Sequence, residues 1–512
     1  LFVQGENMNI RYAMNIIILS VTIIFYILLP FNLHAQHKVN YTLKDIIDQA
    51  KGSSPAALRA ATLRESSNWE FLYFQSNYTP QLKFDGILPS YSQSVIPVTQ
   101  PDGTIEFREV EQNIFEMGWS LQQPITSTGG TISVNASINR FDNLKTIEGL
   151  SGTRWSGIPV NLSVNQPVFG FNYLKWDKRI KPLIYEENKR LYLEELENIS
   201  QRATDLFFNF LLAQVKWETA SRNKENLEEI LQIENARYHL ATTTEDQLLQ
   251  VELSVLRAEQ SLSKADLDME TSALALRSYI GLNESSQFKL ILPQEIPEFN
   301  VDVNLAIELA FKNRSETVNF KRRELEADAD IARAKSERFE MNINASYGYN
   351  NAAMRFSDIY THPNRQALAS LGISIPILDW GRSKARMGIA KANKELVEFT
   401  VKQEMIIFEE TIFTKVKNFH QLRNQILISK KADTVADKRY ELSKQRYYTG
   451  GVDITNLNIA QQEKDSNREA YVSSLRDFWL AYYELRQLTL YDFNTNEYLI
   501  TEAANNSGSY AD

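Results

Sequence analysis

Two hydrophobic rhythms divide this chain. In one, the period is two: Phe115, Met117, Trp119 and Leu121 alternate with Glu116, Gly118, Ser120 and Gln122, and Ile132, Val134, Ala136 and Ile138 alternate with Ser133, Asn135 and Ser137. The same beat runs through Ile158, Val160, Leu162 and Val164, through Met341, Ile343, Ala345, Tyr347 and Tyr349, and through Ala369, Leu371, Ile373 and Ile375. It predicts six strands, near residues 81–92, 113–123, 130–140, 157–166, 340–350 and 366–376, each with one dry and one wet face. In a secreted sandwich the dry face is a core, whereas in an outer-membrane barrel it faces lipid and the polar face lines water. The strands alone leave both open. The stretch Ser94 to Glu111, with Pro97 and Pro101-Asp102-Gly103, reads as an exposed loop.

In the other rhythm, apolar residues recur every three or four positions over very long distances. Leu196, Ile199, Ala203, Leu206, Phe210, Ala213, Trp217 and Ala220 form one stripe. Leu248, Val251, Val255, Ala258, Leu262, Ala265, Met269, Ser272, Leu276 and Tyr279 form a second. A third runs through Met405, Phe408, Ile412, Phe419, Leu422 and Ile426, with Lys415 where an apolar residue is due. A period near 3.5 marks helices that pack side by side for many turns. A helix from about Ile180 to Tyr238 reaches about 90 Å at 1.5 Å per residue, longer than a compact domain accommodates.

The two rhythms occur twice. Residues 166–249 align with 375–458 at one fixed offset without a gap, and Thr42 to Ala50 resembles Asn304 to Ala310. The reading is a signal peptide over 1–35, a first repeat over 36–300 (helix, β segment with an extra hairpin, two long helices), a second over 301–493 (helix, β-hairpin, two long helices), and a flexible tail over 494–512. The Pro-containing stretch Ile291 to Pro297 is the joint. The fold class expected is an internally duplicated α+β membrane protein.

Composition narrows the classes. Ile16 to Leu29 is the one long apolar run, preceded by Arg11 and followed by Leu33-His34-Ala35-Gln36, the pattern of a signal peptide cut before Gln36. An uncleaved anchor is the alternative, and translation starts at Met8 or Met14 on this reading. A mean hydropathy of -0.35 excludes a bundle of membrane-spanning helices. Cysteine is absent, which removes disulfides, thiolate sites and lipid attachment through Cys. The formal net charge of -9 gives no basic footprint for nucleic acid. Catalysis has little support: His37, His239, His362 and His420 lack metal-ligand spacing, the glycine pairs lack a following Lys-Ser/Thr, and Glu194-Glu195 and Glu228-Glu229 read as solvated helix faces. No enzyme, cofactor or metal is expected.

The segment Ile375-Pro376-Ile377-Leu378-Asp379-Trp380-Gly381-Arg382, matched in the first repeat by Gln166-Pro167-Val168-Phe169-Gly170-Phe171, resembles the strand-to-helix junction of the TolC-type outer-membrane efflux family. Its expected role is to shape that junction. A second piece, Arg446-Tyr447-Tyr448-Thr449-Gly450-Gly451-Val452-Asp453-Ile454-Thr455-Asn456, resembles the family's periplasmic tip; its mate runs from Arg237-Tyr238 through Asp246, with Ala241-Thr242-Thr243-Thr244 in place of the glycines. The resemblance implies that Arg237, Tyr238, Asp246, Arg446, Tyr447, Gly450, Gly451, Asp453 and Asn456 form an aperture that meets a periplasmic adaptor, with Tyr447 as the aperture tyrosine. Asn456 falls where the family often has a carboxylate, so a strong acidic ring is in doubt unless Asp453 substitutes; a plain solvated turn is the other reading of both.

Six strands do not close a membrane barrel, for which about eight is the minimum, so copies must pool them. A homotrimer in the outer membrane, in contact with lipid, an adaptor and an inner-membrane transporter, follows as the family's arrangement: a passive exit duct of a tripartite efflux or type I secretion system. A structural or adhesive coiled-coil surface protein is the alternative. The β region of the first repeat is longer than that of the second. Either the barrel is wider, or one hairpin folds inward or beyond the membrane.

Overall fold

The computed structural model describes residues 40–144, 152–282, 288–293 and 295–499. The expected signal peptide and most of the expected tail lie outside them. A capping box opens the first helix: the Thr42 hydroxyl accepts from the Asp45 N–H, and the Asp45 carboxylate accepts from the Thr42 N–H at 2.9 Å. A short strand β1 (Asn40–Tyr41) leads into α1 (Leu43–Ser53), α2 (Pro55–Ser76) and four strands, β2 (Gln81–Thr99), β3 (Ile105–Ile125), β4 (Gly130–Asn143) and β5 (Gly152–Pro167). Then come α3 (Tyr173–His239), α4 (Glu245–Ile280) and β6 (Lys289–Leu290), which pairs with β1. The second half runs α5 (Val303–Asn313), α6 (Ser315–Ser336), β7 (Glu340–Ala353), a one-turn α7 (Asp358–Thr361), β8 (Asn364–Ser374), α8 (Arg382–Tyr448) and α9 (Ile454–Thr489), before β9 (Tyr491–Asp492) and β10 (Glu497–Tyr498).

Helix lengths repeat between the halves. Helices α1 and α5 have 11 residues, α2 and α6 have 22, α3 and α8 have 67, and α4 and α9 have 36. At 1.5 Å per residue the two longest reach about 100 Å. No helix among the described residues is long and apolar enough to cross a membrane.

Six strands form one antiparallel sheet in the order β2-β3-β4-β5-β7-β8. The segment expected to be a loop, Ser94 to Glu111, is instead mostly paired: β2 and β3 continue in register from Ser90↔Ile114 to Thr99↔Ile105, and only residues 100–104 turn. Pro97 does not interrupt this, because β2 is an edge strand with no partner to receive a missing N–H.

Below the sheet, α3 packs on α4, α8 on α9, and α3 on α9, so the two long hairpins lie side by side in the order α4-α3-α9-α8. Nearer the sheet, α2 packs on α3, and α6 lies between α3 and α8. The stripes become seams: Ile199, Ala203, Phe210, Val251, Leu276, Ile412, Phe419 and Ile426 are buried. In α8 the seam steps from Ile412 to Val416, while Lys415 pairs with Glu484 of α9 at 2.5 Å. The largest core is at the waist, where α1 and α5 wedge against the long helices around Phe207, Phe208, Phe419 and Phe478.

Candidate functional site: hairpin tips, junctions and bare flanks

Both helical hairpins turn by the same device. In the second, Gly450 takes a left-handed conformation (φ 75°) and the Gly451 N–H reaches back to the Arg446 carbonyl at 2.8 Å, closing the end of α8. In the first, Ala241 adopts the left-handed conformation (φ 57°) and the Thr242 N–H bonds to the Arg237 carbonyl at 2.9 Å. Thr244 and Asp453 then cap α4 and α9. The Asp453 carboxylate is occupied locally, accepting from the Asn456 backbone N–H at 2.8 Å and from its side-chain amide at 2.9 Å. Asp246 is exposed in the first turn of α4, and Arg446 is also exposed.

The structure brings three tip residues together, one of which the sequence did not single out. Tyr447 is buried between the hairpins and donates its hydroxyl to Glu234 Oε1 at 2.6 Å. Arg237 bonds the same oxygen at 2.8 Å, donates to the Tyr448 carbonyl at 3.1 Å, and lies over the Tyr447 ring. Burial pushes the Glu234 carboxyl up, but the bonds from Tyr447 and Arg237 outweigh it and hold the pKa below the usual carboxylate range. Glu234 thus ties α3 to the end of α8 across the tip. Tyr238 is exposed, outside this cluster.

At the opposite end the strand-to-helix junctions differ between the halves. Pro167 closes β5, still opposite Asn342 of β7, whereas Pro376 lies beyond the end of β8. Gly170 packs close to Pro167, where a Cβ would approach the proline ring at 3.2 Å. Trp380 is exposed and left-handed (φ 53°), followed by left-handed Gly381 (φ 87°) and exposed Arg382. The residue that organises this turn is Asp379, whose carboxylate accepts from the N–H groups of Gly381 at 3.0 Å and Ser383 at 2.9 Å. In the first half Asn172 does this work: it caps α3 and donates to the carbonyls of Thr126 and Ser127.

One carboxylate expected on a solvated face is buried. Glu194 is 5% exposed, accepting from the Ser315 N–H at 2.8 Å and facing Arg314 at 3.4 Å. Glu197, one turn on, joins Lys51 of α1 and Arg486 of α9. The helix periodicity did not reveal this, because the partners come from distant parts of the chain. Glu228 and Glu229 are exposed as expected.

The two flanks of the molecule are bare along its length. On one side, α2 and α4 expose Leu58, Leu63, Leu253, Leu256, Leu267 and Leu274 beneath the free edge of β2. On the other, α8 exposes Ile389, Leu396, Phe399, Ile428, Val435 and Leu442 beneath the free edge of β8.

The model of the outer membrane efflux protein family matches residues 306–489. The toxin and drug export protein A of Aggregatibacter actinomycetemcomitans is 22% identical over 255 residues, 49% of this chain and 55% of that protein, so the match spans about half the length of that relative. Among solved structures, the CmeC outer membrane channel of Campylobacter jejuni superposes with a TM-score of 0.65 at 15% identity, covering 92% of this chain and 90% of that one. The outer membrane protein VceC of Vibrio cholerae gives 0.61 at 12% identity, covering 87% and 95%. The MtrE outer membrane channel of Neisseria gonorrhoeae gives 0.59 at 14%, covering 87% and 88%. At these identities the structural likeness is one of fold. With the efflux-protein sequence pattern in its second half and the fold of outer-membrane channels over 92% of its length, this chain resembles the TolC-type outer-membrane efflux family.

Proposed function

We propose that this protein is the outer-membrane exit duct of a tripartite efflux or type I secretion system, working as a homotrimer. The observation that carries the reading is the pair of bare flanks. A free strand edge lies above an unpaired apolar helix face on both sides, and such edges are liabilities unless another chain covers them. Because the two flanks differ, a second copy covers one with the other, head to tail, and a ring closes around the sheet's polar face.

On this reading, residues 36–300 and 301–493 are two copies of one structural unit, cleaved from a signal peptide over 1–35; of the expected tail over 494–512, the first residues are not flexible, since β10 pairs with β9 and Leu499 is buried, and residues 500–512 lie outside the described residues. The sheet stands in the outer membrane and the helices reach into the periplasm. There the tips, with Arg237, Tyr238, Asp246, Arg446, Tyr447, Gly450, Gly451, Asp453 and Asn456, meet a periplasmic adaptor that couples the duct to an inner-membrane transporter. Pro167, Gly170, Pro376, Trp380, Gly381 and Arg382 shape the turn from wall to tube. Conduction on this reading is passive, with the driving force supplied by the transporter.

Purified protein inserted into a planar lipid bilayer should give discrete single-channel conductance and run as a trimer after chemical cross-linking. A protein that stays monomeric and conducts nothing is a stalk or surface protein, and the duct is wrong.

A further inference from the structure

The fixed offset that relates the halves places β4 opposite β7 and β5 opposite β8, which leaves β2 and β3 without counterparts. They are an inserted hairpin, and the structure shows how it is built in. Strand β3 pairs with β4 without a register shift from Gln112↔Asn143 to Ile125↔Gly130. The turn that joins them, residues 126–129, is tied to the first strand-to-helix junction: Asn172 donates to two of its carbonyls, and the Thr128 hydroxyl donates to Gln166 at 2.7 Å. Position 129 is glycine because its backbone is left-handed (φ 77°), and position 130 because a Cβ there would meet the Asn165 backbone carbonyl at 2.9 Å.

The hairpin also shares the faces of the sheet. Leu82, Leu121, Val134, Leu162 and Tyr347 lie opposite one another in one apolar row across five strands. On the other face Lys83, Ser120, Asn135, Asn161 and Gly348 form the matching polar row. A plug or an external lobe would not keep both rows in step. Along β2 the register breaks between Ile87 and Ser90, at Pro89, so Gln81–Ile87 is an uninterrupted edge of about 23 Å, which at a tilt of about 40° covers about 18 Å of the ~25 Å apolar band of an outer-membrane barrel; β2 resumes its pairing with β3 at Ser90 and supplies the rest. The sheet is antiparallel with an even number of strands, so β2 and β8 run in opposite directions and a rotated copy brings them together antiparallel.

We propose that the inserted hairpin is channel wall and that it forms the seam between subunits, β2 of one copy pairing with β8 of the next, so that three copies close an eighteen-stranded barrel. This rests on the trimeric-duct reading. Eighteen strands spaced about 4.8 Å apart and tilted about 40° enclose a ring roughly 36 Å across, against roughly 24 Å for the twelve that remain without the hairpin. A bore of that width is water-filled and does not sieve small solutes, which leaves size selection to the helical tips.

The chain has no cysteine, so paired replacements report the seam without background. Lys83→Cys or Asp85→Cys on the polar face of β2 is combined with cysteine at Gln366, Leu368, Ser370, Gly372 or Ser374 on the polar face of β8, and outer-membrane fractions are oxidised and run without reductant. The competing arm pairs Ser137→Cys of β4 with Gly372→Cys of β8, the contact the internal offset gives for a barrel closed without the hairpin. Ser120→Cys with Asn135→Cys, opposite each other within one chain, shows that the sheet oxidises. Expected are covalent oligomers in the β2–β8 arm and none in the β4–β8 arm. A cross-linkable trimer in which no β8 position reaches β2, or in which β4 reaches β8, overturns the hairpin as wall while leaving the duct standing. Absence of any trimer overturns both.

Discussion

Ala241 and Gly450 hold the same left-handed position at the two tips, and only one is a glycine. A residue with a Cβ costs about 1–2 kcal/mol in that conformation, so Ala241→Gly should stabilise the first tip by about 1 kcal/mol and Gly450→Ala should weaken the second by a similar amount; opposite shifts in the thermal dissociation of the oligomer would show it. Tyr447→Phe removes the hydroxyl that donates a hydrogen bond to Glu234 and should weaken the tie between hairpins by about 1–3 kcal/mol. The readout is a higher resting conductance in bilayers, and unchanged conductance would count against Tyr447 as a closing residue. The Glu234 pKa is depressed, so its contribution is complete above the usual carboxylate range and is lost as pH falls through the depressed value. Resting conductance of the wild type should therefore stay flat through neutral pH and rise only in strong acid, whereas Glu234→Gln should loosen the tip at every pH.

At the scale of elements, the helices are held by polar contacts as well as seams. Arg486 of α9 bonds Glu197 of α3 and Asp492 of β9, with Tyr482 donating to the same Asp492 at 2.8 Å. Replacing it by Met takes the guanidinium away from two buried carboxylates, leaving Glu197 with Lys51 alone and Asp492 without a cation among the described residues, and the oligomer should lose about 3 kcal/mol, seen as a lower dissociation temperature. Between α3 and α9, Asp465 accepts from Asn223 at 2.7 Å, but each keeps one buried oxygen without a partner. Burial raises the Asp465 pKa, so its proton is retained at pH values where an exposed aspartate is charged. The associated stability is complete below the ordinary aspartate value and is lost as pH rises through the raised one. Asp465→Asn should then stabilise at neutral pH and make no difference at pH 3; equal effects at both would contradict the assignment. Packing also tolerates strain, since Leu490 ends α9 in a left-handed conformation yet is fully buried, while the matching position after α4 is Gly281.

For the whole molecule, reversal at the tips is what allows hairpins of this length to stand side by side. Replacing Gly450-Gly451 with a helix-favouring pair should let α8 run on, abolishing export while sparing assembly, because the bare flanks lie elsewhere; normal export in cells would refute this. The amino-acid pattern by itself determined the strands, the overlong helices, their duplication and the motif that turns one into the other, because period, proline and glycine act locally. It did not determine that Ser94 to Glu111 continues as paired strand, since an edge strand tolerates Pro97 and turn-like residues that a central strand would reject. Nor did it show that Glu194 and Glu197 are buried, or that Glu234 links Arg237 to Tyr447: those depend on side chains up to hundreds of positions apart, and no local period records them. Where the extra hairpin goes was likewise undecided until β3 was seen paired with β4 along its length, because alternation gives a strand two faces but does not choose its neighbour.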